Sequence, residues 1–206
     1  MIDYLLQQAR APYWDCLNVS QELHHAYARA HDLIYVVRKG PILPDWTGHW
    51  DAIPLMLEMM QPSQTRWIFW VDADALIVGN EDIRQALPED AELGMCRHPG
   101  PPDHWNCGVL CIRNTPSTRA WLRAIIAEGP GVYPHYQQGI MNDLLEQRAW
   151  RGMCARLDDR WNSTVVLNGP EDCVIRAWHA GGAPAVRALK MKNEIARRGL
   201  TTVGTR

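Results

Sequence analysis

The feature that most constrains this chain is an apolar run at residues 67–71 that leads directly into Asp72 and Asp74. Five apolar residues between polar ones predict a buried strand. Side chains two residues apart on an extended chain share a face, so both carboxylates lie together just past the strand's carboxyl end. Like charges on one face repel, and a divalent cation with oxygen ligands relieves the repulsion. The pattern predicts either a cation site or a solvated loop with two ordinary acids.

Short apolar runs alternate with amphipathic stretches along the whole chain, which is typical of an α/β sandwich around a mostly parallel sheet. With 206 residues, we expect one domain. Residues 1–17 contain no convincing first strand with a glycine, and they are either a divergent or a truncated version of one. The predicted strands are 33–37, 67–71, 109–112 and 174–178; the predicted helices are 20–30, 51–60, 115–128, 137–147 and 184–198; and 39–48 and 97–105 are predicted loops.

Charge and cysteine usage exclude several classes of protein. A formal net charge of −2 argues against nucleic-acid binding by the molecule as a whole. No apolar run approaches the roughly 20 residues that cross a bilayer, and the N-terminus lacks the pattern of a signal peptide. The six cysteines form no CxxC pair, which indicates reduced thiols. We therefore expect a cytoplasmic protein.

A second segment with candidate functional residues follows the strand predicted at 174–178. His179 stands at its end, and Gly181 and Gly182 precede the C-terminal helix. Glycines let the backbone approach a phosphate closely, and a helix N-terminus favours anions. A neutral imidazole there is a candidate third metal ligand beside Asp72 and Asp74. The alternative is a structural histidine with its hydrogen bonds satisfied.

Two further segments carry candidate functional residues, and each also has a purely structural interpretation. Residues 105–114 carry Trp105, Asn106 and Gly108, and without a function they form a core strand with a glycine at a close backbone approach. Residues 136–142 carry Gln137 and Gln138, and without a function they are the polar start of a helix.

In this order, the segments resemble the nucleotide-sugar glycosyltransferases of the GT-A fold. The resemblance is strongest to the galactosyltransferase family related to the yeast alpha-mannan enzymes, and it covers roughly residues 20–182. Residues 70–77 (Trp-Val-Asp-Ala-Asp-Ala-Leu-Ile) resemble that family's Asp-x-Asp strand almost residue for residue. Residues 50–55 resemble the helix before that strand, residues 106–114 its acceptor-side strand, and residues 179–181 its metal and diphosphate loop.

The resemblance implies a single domain with a GT-A type, Rossmann-like α/β/α sandwich and a mostly parallel central sheet. Residues 1–78 would form the nucleotide-binding half and residues 79–182 the half that holds the sugar and the acceptor. Residues 183–206 would form a basic helix and tail. The implied activity is transfer of a hexose or pentose from a nucleotide sugar, a UDP-sugar, to a hydroxyl group of an acceptor.

The resemblance also implies a role for each matched residue. Asp72 would face the ribose and the metal, and Asp74 and His179 would bind Mn2+ or Mg2+. The cation would bridge the diphosphate and neutralise the charge of the leaving group. The phosphates would be contacted by Gly181, Gly182, Lys190 and Lys192. Gln138 would lie near the anomeric carbon. The pocket for the sugar and the acceptor would be formed by Trp105, Asn106, Gly108 and Gln137.

Two positions depart from the family pattern. Gln137 stands where an acid is expected, and Ala52 stands where a lysine is common. The resemblance implies retention, in which the leaving diphosphate takes the acceptor proton. An inverting enzyme needs a carboxylate base, for which the candidates are Asp103, Asp158 and Asp159. Residues 158–162 alternatively form a loop that orders the pocket.

The acceptor is left open by the sequence. The C-terminal helix carries cations that suit either a solvated helix or a patch for phosphates of the donor or of an anionic acceptor. A glycolipid, a teichoic polymer and DNA with modified bases are the acceptors considered. Two other classes remain, a metal-dependent hydrolase or nucleotidyltransferase and a sugar-nucleotide-binding protein without catalysis. The cations are Arg187, Lys190, Lys192, Arg197 and Arg198.

Overall fold

Two sheets and five α-helices form the fold in the computed structural model, which describes residues 1–61, 63–98, 104–130, 136–165, 169–179 and 181–200. The strands are β1 (Ile2–Ala9), β2 (Ile34–Lys39), β3 (Thr65–Val71), β4 (Ala75–Ile77), β5 (Leu93–Arg97), β6 (Trp105–Arg113), β7 (Cys154–Arg156), β8 (Ser163–Thr164) and β9 (Ile175–Ala177). The helices are α1 (Trp14–Ala30), α2 (Ala52–Met59), α3 (Pro116–Glu128), α4 (Gln137–Glu146) and α5 (Pro184–Arg198).

The central sheet has six strands in the order β2-β1-β3-β6-β5-β7. The pairs β1–β2, β1–β3 and β5–β7 are parallel, whereas β6 runs antiparallel to both β3 and β5. A second sheet of three strands, β4-β9-β8, lies beside it. The predicted α/β architecture with a mostly parallel central sheet is confirmed.

The core lies on both faces of the central sheet, because side chains along a strand alternate between faces. On β3, Ile68 and Trp70 pack in one hydrophobic cluster with α2, α3 and α4. Phe69 and Val71 pack in the other with α1 and β9. The layers are therefore helix, sheet and helix, and the small sheet completes the α1 side.

The start of the chain corrects the sequence analysis. We expected no convincing first strand with a glycine in residues 1–17, but β1, which contains no glycine, lies in the sheet between β2 and β3. Buried polar side chains interrupt its apolar pattern, and each is satisfied by a distant partner. Asp3 accepts from Arg66, Gln8 donates to Asp51, and Gln7 donates to the carbonyl of Asp72. These partners are remote in sequence, so periodicity alone does not reveal the strand.

Other boundaries shift as well. Helix α1 begins at Trp14, six residues before the predicted start. Strand β5 was not predicted, and the predicted loop at 97–105 begins within β5 and ends within β6. The helix predicted at 115 is confirmed, because the Thr115 hydroxyl accepts from the backbone of Thr118 and Pro116 occupies the first turn.

All six cysteines are unpaired thiols. Within the residues that the structure describes, no helix has the length and apolarity needed to cross a membrane.

One buried histidine ties α1 to the small sheet. His24 is fully buried, and its Nε2 accepts a hydrogen bond from the backbone N–H of Ile77 on β4 (2.9 Å). Nε2 must be unprotonated to accept. Burial disfavours the charged ring and lowers the pKa of His24 from 6.5 to about 3.

We predict that His24 makes the protein acid-sensitive. Below pH 6.5 the unfolded chain takes up a proton on this ring, whereas the folded chain does not until about pH 3. Its contribution to stability is therefore complete above pH 6.5 and is lost as the pH falls. Between pH 7.5 and 5.0 the wild type should lose about 2 kcal/mol more unfolding free energy than His24→Gln.

Urea titrations at the two pH values measure this difference. Exposed His25 supplies the control, since His25→Gln should keep the wild-type pH dependence. Equal losses in the wild type and His24→Gln would contradict the prediction.

Candidate active site

The segment after β3 is fixed between the two sheets by its backbone. The N–H of Asp72 donates to the carbonyl of Gly108 on β6 (2.8 Å), and the carbonyl of Asp74 accepts from the N–H of Trp178 after β9 (3.0 Å). A turn closes between them, because the N–H of Ala75 donates to the carbonyl of Asp72 (3.1 Å). The two carboxylates are therefore set where the central and small sheets meet.

His179 joins these carboxylates from the end of β9. One ligand atom from each of Asp72, Asp74 and His179 can be chosen so that all lie within 4.8 Å of one another. Nδ1 of His179 is 3.6 Å from Oδ1 of Asp74. The structure thus brings together the three residues that the sequence analysis selected as metal ligands.

The surroundings split the pKa values of the two carboxylates. Burial and the charge of Asp74 raise the pKa of Asp72 to about 7, although Trp70 Nε1 donates to Asp72 Oδ1 (2.8 Å). Burial also pushes the pKa of Asp74 upward, but hydrogen bonds and charge from His179 and Arg187 outweigh burial and hold it at about 2. The site thus contains one firmly ionised carboxylate and a second that favours an additional positive charge.

A chain of hydrogen bonds sets the proton position on His179. The backbone N–H of Gly108 is a fixed donor to Oδ1 of Asn106 (2.8 Å). That oxygen also accepts from Nδ2 of Asn162 (3.0 Å), so Oδ1 of Asn162 faces Nε2 of His179 (3.4 Å). Nε2 consequently carries a proton, and Nδ1 is the ring nitrogen that faces Asp74. A divalent cation would displace the proton that Nδ1 shares with Asp74, so that this nitrogen and the two carboxylates could serve as ligands.

Gly108 makes room for the imidazole. A Cβ at this position would lie 2.5 Å from Cε1 and 2.6 Å from Nε2 of His179. Any larger residue would displace the ring. The alternative of a glycine where two backbones touch is therefore wrong, because the group that approaches Gly108 is the His179 side chain.

The glycine loop after His179 leads into α5. Gly182 has φ +103°, a conformation that favours glycine. Lys190 lies against this loop, and its Nζ donates to the carbonyl of Gly181 (2.9 Å). Lys192 lies elsewhere, lining a groove between α1 and α5 together with Glu22. Of the two lysines predicted to contact phosphates, the structure brings Lys190 to the loop.

Arg187 reaches the centre of the site from the first turns of α5. Its Nη1 donates to Oδ2 of Asp74 (2.5 Å), its Nε donates to the carbonyl of Gly182 (2.8 Å), and its guanidinium lies 5.4 Å from the ring centroid of Tyr13. The sequence analysis placed Arg187 only among the cations of the helix. The sequence feature that could have indicated this role is the position of Arg187 on an amphipathic helix, eight residues after His179.

The start of α4 is bound to β6 on the other side. Oε1 of Gln138 accepts from the N–H of Cys107 (3.0 Å), and Asn142 bonds both backbone groups of Trp105. Gln137 is buried, with Nε2 3.7 Å from the Cys107 sulfur. Its Oε1 has no partner within the described part of the chain. Both glutamines therefore adjoin the strand that carries Asn106 and Gly108.

Two of the three candidate bases for an inverting reaction are engaged elsewhere. Asp159 begins a 3-10 helix (Asp159–Asn162), is exposed and pairs with Arg156 (3.3 Å). Asp158 caps this helix by accepting from the N–H of Arg160 (2.9 Å). Asp103 lies outside the described residues. The 3-10 helix instead places Asn162 beside His179. The sequence analysis gave Asn162 no role of its own.

No protein-family model and no curated protein sequence matches the chain. Among solved structures, it is similar to a glycosyltransferase involved in glycosylation of the major capsid of PBCV-1, with a TM-score of 0.77 and 14% identity over 94% of this chain and 100% of that one.

It is also similar to the galactosyltransferase LgtC, with a TM-score of 0.63 and 13% identity over 99% of this chain and 98% of that one. For mouse xyloside xylosyltransferase 1 the TM-score is 0.55 at 14% identity, over 88% of this chain and 99% of that one. The chain therefore has the GT-A glycosyltransferase fold. Membership of the family related to the yeast enzymes stays a prediction.

We predict that Gly108→Ala lowers the unfolding free energy by about 1–3 kcal/mol, because its Cβ overlaps the His179 ring. In a His179→Ala background the same change should cost less than about 1 kcal/mol, since the obstructing ring is gone. Urea unfolding of the four proteins of this double-mutant cycle measures the coupling. Equal costs in both backgrounds would show that the ring does not occupy this space.

Proposed function

We propose that the protein is a metal-dependent glycosyltransferase that moves a hexose or pentose from a UDP-sugar to a hydroxyl group of an acceptor, with retention. The observation that carries this proposal is the cluster of Asp72, Asp74 and His179 at the junction of the two sheets. The resemblance of residues 70–77 to the Asp-x-Asp strand of the galactosyltransferases related to the yeast alpha-mannan enzymes supports that family as part of the proposal. Its six thiols suit the reducing cytoplasm.

In this proposal Asp72, Asp74 and His179 hold Mn2+ or Mg2+. Carboxylate oxygens and an unprotonated imidazole nitrogen are suitable ligands for either ion. When bound, the ion supplies Lewis-acid stabilisation of the negative charge on the departing nucleoside diphosphate. Asn162 and Asn106 hold a proton on Nε2 of His179, which leaves Nδ1 as the nitrogen that would bind the ion.

The diphosphate would lie against the glycine loop and the first turn of α5. Gly181 and Gly182 have no side chains to block its approach, and the backbone N–H groups at a helix start favour an anion. Lys190, which already touches the loop, adds a positive charge. These residues orient the donor so that its anomeric carbon faces the start of α4.

The sugar and acceptor would lie beside the start of α4 and the adjoining part of β6. The unpartnered Oε1 of Gln137 is a ready acceptor for a sugar hydroxyl, and a buried polar atom gains most from such a bond. Gln138 is held by Cys107, which positions its amide at the anomeric carbon. Because both residues are neutral amides, they orient the sugar and take no proton from it.

The positions of two of the three candidate bases support retention. Asp158 and Asp159 are exposed and engaged in local contacts, so neither serves as a base in this proposal. The leaving diphosphate then accepts the proton of the acceptor hydroxyl on the face it departs from. The protein contributes positioning and charge stabilisation.

The main prediction concerns Asp74. With a panel of UDP- and GDP-sugars, we expect nucleoside diphosphate release from one UDP-sugar in Mn2+ and none with a chelator. Asp74→Asn should lower the rate at least about 100-fold, because a ligand to the cation is lost. The exposed Asp143→Asn on α4 is the matched control and should retain the wild-type rate.

Calorimetry with UDP and Mn2+ completes this experiment. Metal-dependent UDP binding without turnover of any donor, even with acceptor hydroxyls present, would favour a sugar-nucleotide-binding protein without catalysis. Absence of both binding and turnover would overturn the proposal.

A separate prediction tests retention. Asp159→Asn should keep activity within about threefold of wild type, since this carboxylate has no role in a retaining reaction. Proton NMR of the glycosylated product should give the anomeric configuration of the donor. Loss of activity in Asp159→Asn together with an inverted product would contradict retention.

A further inference from the structure

The carboxylate of Asp74 lies between two cationic or metal-binding partners. Oδ1 faces Nδ1 of His179 at 3.6 Å, and Oδ2 accepts from the Arg187 guanidinium at 2.5 Å. The side chain of Asp74 is only 7% exposed, and that of Arg187 only 16%. A permanent positive charge is therefore enclosed beside the proposed cation site, because an arginine in a protein stays protonated.

The position of Arg187 is held by contacts other than Asp74. Its Nε donates to the carbonyl of Gly182, and the guanidinium lies over the ring of Tyr13. The same guanidinium thus touches both a cation ligand and the glycine loop proposed for the diphosphate. It can exchange contacts between the two over a short distance.

Arg187 has two opposing effects on a cation at this site. By orienting Asp74 it aids binding, and outer partners of this kind change metal affinity by about 10–100-fold. By its charge it opposes binding. The guanidinium carries one positive charge and the cation two. At a few ångströms and an effective dielectric constant of about 20, their repulsion lowers the metal affinity by more than about 100-fold. The charge effect is larger, so Arg187 weakens the binding of a cation on its own.

A diphosphate reverses the sign of this effect. It is anionic, and the planar guanidinium forms paired hydrogen bonds to phosphate oxygens. We propose that Arg187 couples the two ligands, opposing a divalent cation alone and favouring the cation together with the donor diphosphate. This inference rests on the proposed function of the site. Its consequence is that free cytoplasmic metal occupies the site poorly until a nucleotide sugar arrives.

The test is calorimetry of Mn2+ binding with and without saturating UDP. In the wild type, UDP should tighten Mn2+ binding at least about tenfold. Arg187→Met keeps an unbranched side chain over Tyr13 and removes the charge. In this variant Mn2+ alone should bind at least about tenfold more tightly than in the wild type, and the enhancement by UDP should fall below about threefold.

Arg38→Met is the matched control. Arg38 also pairs with one acid, Glu58 (2.9 Å), but at an exposed position on β2. It should behave as the wild type in both titrations. If Arg187→Met does not fold, as judged by circular dichroism, Arg187→Gln replaces it, and Arg187→Lys should retain most of the coupling because it retains the charge.

The outcomes separate this inference from the proposed function. If Asp74→Asn abolishes Mn2+ binding but Arg187→Met binds Mn2+ alone no more tightly than the wild type, Arg187 is not a coupling residue and the metal site stands. If the wild type binds Mn2+ neither alone nor with UDP, the proposed function itself fails.

Discussion

The structure depends on two neighbouring carboxylates at the junction of two sheets, the partly buried Asp72 and the buried Asp74. Neighbouring buried negative charges are unfavourable unless positive charge and hydrogen-bond donors surround them. Here Trp70 donates to Asp72, and Arg187 and His179 hold Asp74. The segments that supply these groups, β3, the end of β9 and the start of α5, are thereby drawn to one point.

The rest of the architecture keeps this point rigid. The backbone bonds to Gly108 and Trp178 tie the acidic segment to β6 and β9, so a movement of either sheet would change the site. The absence of a side chain at Gly108 also helps to fix the site, because it lets the His179 ring pack on β6. Sites placed on strands in this way need little reorganisation when charge develops during a reaction.

Sequence reasoning reached the main layers and the acidic pair, because both produce local patterns. The apolar run before Asp72 and the capped start of α3 each depend on neighbours in sequence. Strand β1 was missed because Asp3 and Gln7 look exposed until their remote partners are known. The role of Asn162 was missed for the same reason, since a lone asparagine gives no signal until His179 lies beside it.

The sequence by itself determined the alternation of strands and helices and the position of Asp72 and Asp74 directly after a buried strand, because side-chain polarity and backbone preference act over a few residues. Only the tertiary structure decided that His179 completes the cluster through Nδ1 and that Arg187, 113 residues beyond Asp74, neutralises it. Those choices depend on distances between segments that fold together, and no short-range pattern encodes them.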